Sequence, residues 1–114
     1  SMALDPDGNT LEYDSGGLAA SGIIQAAPLR LYQLYGFNSL ASAQYIQLFD
    51  TFRVPANGAV PARPPLYAAA SSAFYYDFGE IGSAFQLGLC WSNSSTLGTK
   101  TIGSADCWMH AVYR

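Results

Sequence analysis

The sequence predicts an all-β domain, an antiparallel β-sandwich of jelly-roll-like or immunoglobulin-like kind with an extended N-terminal arm. Three observations point there. Apolar residues recur with a period of two in several separate segments, Gly- and Pro-rich turns divide those segments at short spacing, and helical spacing never persists over a long window. Residues 1–22 read as the arm. Asp5, Asp7, Glu12 and Asp14 fall there without a basic residue, among Gly8, Gly16 and Gly17, a composition with turn chemistry and no core of its own. Ser1 and Met2 look like a cleavage scar, and no basic segment leads into an apolar one, so a signal peptide is not expected.

The sandwich is expected over residues 23–114. Ile23 and Ile24 start an early strand, and Leu29 to Phe37 form the next, closed by Gly36-Phe37-Asn38-Ser39. Ile46 and Leu48 mark a strand whose other face carries Tyr45, Gln47 and Phe49. Asn57-Gly58 supplies a turn, and Pro61, Pro64 and Pro65 restrict the following connection to an edge. Phe74, Tyr76 and Phe78 alternate with Ala73, Tyr75 and Asp77, and Phe85, Leu87, Leu89 and Trp91 alternate with Ala84, Gln86, Gly88 and Cys90. A loop at 93–98 precedes a last strand, Cys107 to Tyr113. The core is therefore expected from Ile46, Leu48, Phe74, Tyr76, Phe78, Phe85, Leu87, Leu89 and Trp91.

Composition narrows the function. In 114 residues half are apolar and 11% charged, which excludes disorder and a coiled coil and fits one domain. No apolar run is long enough to span a membrane as a helix. A net charge of -3, with five scattered basic residues, argues against nucleic acid. A chain so poor in charge and rich in aromatic residues fits packing against neighbours.

Catalytic constellations are sparse. His110 is the only histidine, and Cys107, three residues earlier, falls on the opposite face of a strand, so neither a nucleophilic site nor a zinc site assembles. Asp5, Asp7 and Asn9 hint at a calcium loop that breaks off before its Gly and closing Glu. Asp50, Asp77, Glu80 and Asp106 sit at strand ends, the usual place for turn-capping carboxylates. No cofactor is expected. Asn93-Ser94-Ser95 spells a glycosylation sequon and nothing more. For Cys90 and Cys107 two readings stay open: a disulfide, if their strands pair directly, or two buried thiols. Candidate interface residues are Leu11, Tyr13 and Leu18 on the arm, with Tyr32, Tyr35 and Tyr45 on strands.

The stretch from Tyr35 to Tyr113 carries a recognisable layout: Gly36-Phe37-Asn38, Ala43-Gln44-Tyr45-Ile46-Gln47-Leu48-Phe49-Asp50, Val54-Pro55-Ala56-Asn57-Gly58-Ala59-Val60-Pro61, Asp77-Phe78-Gly79, Phe85-Gln86-Leu87-Gly88 and Thr99-Lys100-Thr101. It resembles small β-sandwich structural proteins of tailed bacteriophages, those that decorate capsids or form fibre modules. The resemblance implies a non-enzymatic virion protein, a capsid decoration (cement) or fibre component. Composition already supports a homo-oligomer without nucleic acid or membrane as partner; the resemblance implies a trimer, by the usual threefold placement, with major capsid or other virion proteins as partners. The alternative is a carbohydrate-binding module of a receptor-binding appendage, with Tyr and Trp stacked on a surface glycan.

Overall fold

The structure, a computed structural model, describes residues 9–114. Among them run nine strands and no helix: β1 (Leu11–Asp14), β2 (Ser21–Gln25), β3 (Leu29–Asn38), β4 (Gln44–Phe49), β5 (Leu66–Ala68), β6 (Ser72–Asp77), β7 (Ser83–Phe85), β8 (Leu89–Ser94) and β9 (Cys107–Tyr113). Sheet A has the order β1-β9-β3-β6, with β7 pairing the start of β3, and sheet B the order β2-β8-β4-β5. All pairings are antiparallel. With the short β7 set aside, every connection except β4 to β5 crosses from one sheet to the other. That is the wrapped connectivity of a jelly roll, and it decides between the two sandwich types that the sequence left open.

The core lies between the sheets. Leu31 and Leu34 of β3, Ile46 and Leu48 of β4, Phe85 of β7, Leu89 and Trp91 of β8, and Met109 and Ala111 of β9 are buried and packed together. Tyr76 and Phe78 pack against this core half-buried. Alternation places these residues inward because successive strand side chains point to opposite faces. Residue Gly36 is required in β3: a Cβ there would collide with the Trp108 carbonyl and the Phe74 ring.

Two sequence expectations change. Residues 11–22 do not form an arm. Leu11–Asp14 pair with Tyr113 to His110, and Ser21 already opens β2. Burial of β1 is shallow and its inward residues too few to show a period, but its backbone hydrogen bonds are met by β9. Residues 1–8 of the expected arm lie outside the described residues.

The run from Phe85 to Trp91 is not one strand. The chain leaves sheet A after Phe85 and enters sheet B at Leu89, so the alternation spans a crossover, and Leu87 is 54% exposed instead of buried. The crossover is held by Asp50 at the end of β4. Its carboxylate accepts the amides of Gln86 (3.0 Å), Leu87 (2.8 Å) and Gly88 (3.4 Å). A side chain at Gly88 would press on the carbonyls of Gln25 and Thr51, each 2.7 Å from its Cβ. Partial burial pushes the Asp50 carboxyl up, but those amides and the Arg63 charge outweigh it and hold it below the ordinary Asp value.

The thiols are free. Cys90 lies on β8 in sheet B and Cys107 on β9 in sheet A, so the direct pairing a disulfide needs does not occur. Burial pushes both thiols up to about 11. The side chain of Asn93 is fully buried, donating to the Ser104 carbonyl at 2.7 Å, and cannot accept a glycan.

Two outcomes follow for stability. Leu34→Ala should cost about 2–5 kcal/mol in urea unfolding, whereas Leu87→Ala should stay within roughly 0.5 kcal/mol of the parent. Asp50→Ala should cost about 1–3 kcal/mol by stranding the crossover amides. Because the folded carboxyl is lowered, its contribution is present above the unfolded value of about 4 and is lost as pH falls through the folded one. The acid limb of stability measured against pH should therefore flatten in Asp50→Asn.

Candidate functional site

The two outer faces of the sandwich differ. On sheet B, the outward Gln47 is fully buried under the connection after β8, its Nε2 donating to the carbonyls of Thr96 (2.9 Å), Leu97 (3.2 Å) and Thr99 (3.0 Å). Lys100 of the same connection is buried too, its Nζ donating to the Pro55 carbonyl at 2.5 Å. Among the described residues sheet A carries no such cover over β9 and β3. Tyr35 (40%), Phe37 (42%) and Trp108 (45%) stand exposed on that face.

Register places these side chains in rows across the strands. Asp14 of β1 opposes His110 of β9, His110 opposes Tyr35 of β3, and Tyr35 opposes Tyr75 of β6. In the neighbouring row Trp108 opposes Phe37. Asp14, Leu18, Tyr35, Gly36, Phe37, Trp108 and His110 line a shallow trough of about 400 Å³.

A polar frame fixes the rings. Trp108 donates its indole N–H to Asp14 Oδ1 at 2.9 Å. The His110 ring faces Asp14 Oδ2 through Nδ1 at 3.0 Å and Glu12 Oε1 through Nε2 at 2.7 Å. Tyr35 stacks on His110, with centroids 4.7 Å apart and ring planes 26° from parallel. A neutral imidazole has one N–H and satisfies one carboxylate; an imidazolium donates to both. The hydrogen bond from His110 and the Gly16 amide, with Trp108 and the His110 charge adding to them, holds the Asp14 carboxyl below the ordinary Asp range.

The predicted interface residues separate here. Leu18, 50% exposed, and Tyr35 meet in the trough, and Leu11, also 50% exposed, lies on edge strand β1. Tyr13 points inward and its hydroxyl accepts the Trp91 indole N–H at 3.1 Å, so the domain's own core uses it. The interface expectation for Tyr32 is corrected: at 6% exposure it is buried within the chain, at a bulge that shifts the β3–β9 register. Tyr45 is half-buried on sheet B, edge-to-face with Tyr67.

Sequence reasoning grouped Phe37 with Tyr35 as aromatic residues at strand spacing, missed Trp108 and Asp14 as their partners, and gave His110 no orienting acid. The signal was the alternation of Trp108 with Cys107 and Met109, which puts a tryptophan on the polar face of a strand. Chemically the frame has acids and an imidazole but no nucleophile: Cys107 faces the core, and both His110 nitrogens are taken by carboxylates. Among the described residues no group of three His, Cys, Asp or Glu side chains is placed to hold a metal ion. Comparison with protein families, with curated proteins and with solved structures finds no match for this chain.

His110 fastens β1 to the sheet, which sets an outcome. His110→Phe keeps a ring against Tyr35 but loses both carboxylates, so amide exchange at Leu11–Asp14 should accelerate several-fold while the core strands keep their protection. The lowered Asp14 carboxyl stabilises β1 above the unfolded Asp value and stops doing so as pH falls through its folded value. In the parent, β1 protection should therefore decay below about pH 4, and hydrogen-exchange spectrometry at stepped pH reads both effects.

Proposed function

We propose that the chain is a non-enzymatic structural protein of a tailed-bacteriophage virion, a capsid decoration or fibre module, that works by being packed against neighbours. One observation supports this reading above the others. Among the described residues fifteen large apolar side chains stand exposed, more than the five basic and eight acidic residues of the whole sequence together. Isolated soluble domains cover themselves with charge, whereas surfaces that neighbours bury are depleted in it and enriched in aromatic residues. The most exposed of these side chains, Ile81 (79%) and Val60 (74%), lie on connections, where they contribute nothing to the core.

The virion setting comes from the strand-and-turn layout of residues 35–113 and stands on that layout alone. Jelly rolls serve in viral capsids and also in lectins, an analogy that agrees with the reading without deciding it. Self-association into a trimer is part of the proposal.

Light scattering of the isolated chain at micromolar concentration should give a mass above that of one chain, and mass spectrometry of purified virions should recover it in a fixed ratio to the major capsid protein. A strictly monomeric chain overturns the oligomer, and its absence from purified particles overturns the virion assignment.

A further inference from the structure

We propose that the trough on the outer face of sheet A is a binding site for a neutral saccharide, with Trp108 and Tyr35 as the stacking shelf and, as hydroxyl acceptors, the carboxylate of Asp14 in its lining and that of Glu12, which His110 joins to it. This goes beyond the packing role above and is measured separately from it.

Ring immobilisation is the first argument. An exposed tryptophan ordinarily samples several rotamers, and holding it in one costs side-chain entropy. Here Trp108 is 45% exposed, yet its N–H is tied to Asp14. Tyr35 is fixed in turn by stacking on His110, which two carboxylates hold. The carboxylates fasten edge strand β1 to β9, but the same bonds leave two aromatic faces fixed and turned outward, which the apolar core does not use. A ligand gains directly, since rings already in place need not be ordered on binding.

Chemistry of the lining selects the ligand class. A pyranose ring offers an apolar C–H face and a periphery of hydroxyl donors. The exposed rings of Trp108, Tyr35 and Phe37 meet the first requirement, and the carboxylates of Asp14 in the lining and of Glu12 across His110, at 44% and 63% side-chain exposure, meet the second with charge-assisted hydrogen bonds. The lining holds no Lys or Arg, so phosphorylated, sulfated or uronic ligands would face the carboxylates unpaired. A quaternary ammonium needs aromatic walls on several sides. These rings rise from one face of one sheet, which makes a shelf and no cage.

Size agrees. About 400 Å³ lies within the range of small-ligand sites. The row His110–Tyr35–Tyr75 continues the shelf over two strand spacings, about 10 Å, to Tyr75, whose ring centroid is 6.3 Å from that of Tyr35. The ligand is therefore an oligosaccharide lying across the strands.

The test is a printed array of neutral and acidic glycans probed with the full chain, followed by fluorescence titration with the best neutral oligosaccharide. Trp91 is fully buried, so a ligand-dependent emission change reports Trp108. Binding by one or more neutral glycans, a saturable change in emission, and at least a tenfold weaker affinity in both Trp108→Ala and Tyr35→Ala support the site. Leu97→Ala, on the opposite sheet's cover, should bind like the parent. If Trp108→Ala fails to fold, the parent titration and Tyr35→Ala decide. No neutral glycan bound at millimolar concentration overturns the proposal. So does binding confined to acidic glycans or to choline chloride, and so does unchanged affinity in Tyr35→Ala. Each of these leaves the light-scattering and virion results standing.

Discussion

Asn38 is fully buried at the end of β3, and its amide joins the two sheets at one end of the sandwich. Its Nδ2 donates to the carbonyls of Ser42 (3.1 Å), Ala68 (3.2 Å) and Ala69 (3.1 Å), while Oδ1 accepts from the Leu40 amide (3.0 Å) and from Gln44 Nε2 (2.8 Å). Gln44 and Asn93 in turn approach the Cys107 thiol. One side chain of sheet A thus binds the connection to β4 and, in sheet B, the start of β4 and the end of β5. A buried amide costs several kcal/mol unless its partners are all in place, so this group tolerates a single arrangement of the strands around it. Apolar alternation alone lets a strand slip by two residues with its inward face preserved; the Asn38 network removes that freedom.

The opposite end is closed by a charge. There the chain passes from β7 to β8, changing sheets within three residues, and three consecutive amides would go unpaired. The Asp50 carboxylate collects them. An amide network at one end and a carboxylate at the other hold two sheets whose middle is mainly apolar, with the Trp91–Tyr13 hydrogen bond within it. Polar chemistry in this small core lies where the backbone turns, because turns are where main-chain groups lose their strand partners.

Covering one face and leaving the other open follows from connection lengths. The long segments between β4 and β5 and between β8 and β9 both fold back on sheet B, where Gln47 and Lys100 fasten them to backbone carbonyls. Among the described residues no connection folds back over β9 and β3 of sheet A, so their outward aromatic residues stand at the surface. Its edge strand β1, with little apolar area to bury, is secured by side chains instead: Tyr13 to Trp91 inward, and Glu12 and Asp14 to His110 outward. The frame that holds β1 also holds the exposed rings of the trough. Edge stability and the geometry of that face are consequently coupled.

The sequence by itself determined the fold class, the strands β3, β4, β6 and β9, and most of the core, because a period of two over five or more residues reports burial on one side directly. It also determined that His110 and Cys107 face opposite ways, a matter of counting along one strand. It did not contain the jelly-roll wrapping, since alternation says which side is buried and not which sheet a strand joins. Leu87 shows the limit: its alternation is perfect, yet the strand it belongs to in sequence is split between two sheets. β1 was hidden for the opposite reason, as an edge strand of four residues whose stability comes from partners roughly a hundred positions away. The candidate site shared that fate. Asp14, Tyr35 and His110 stand in one row only because β1, β3 and β9 are neighbours in sheet A, and adjacency between strands distant in sequence is decided by how the sheets close on each other.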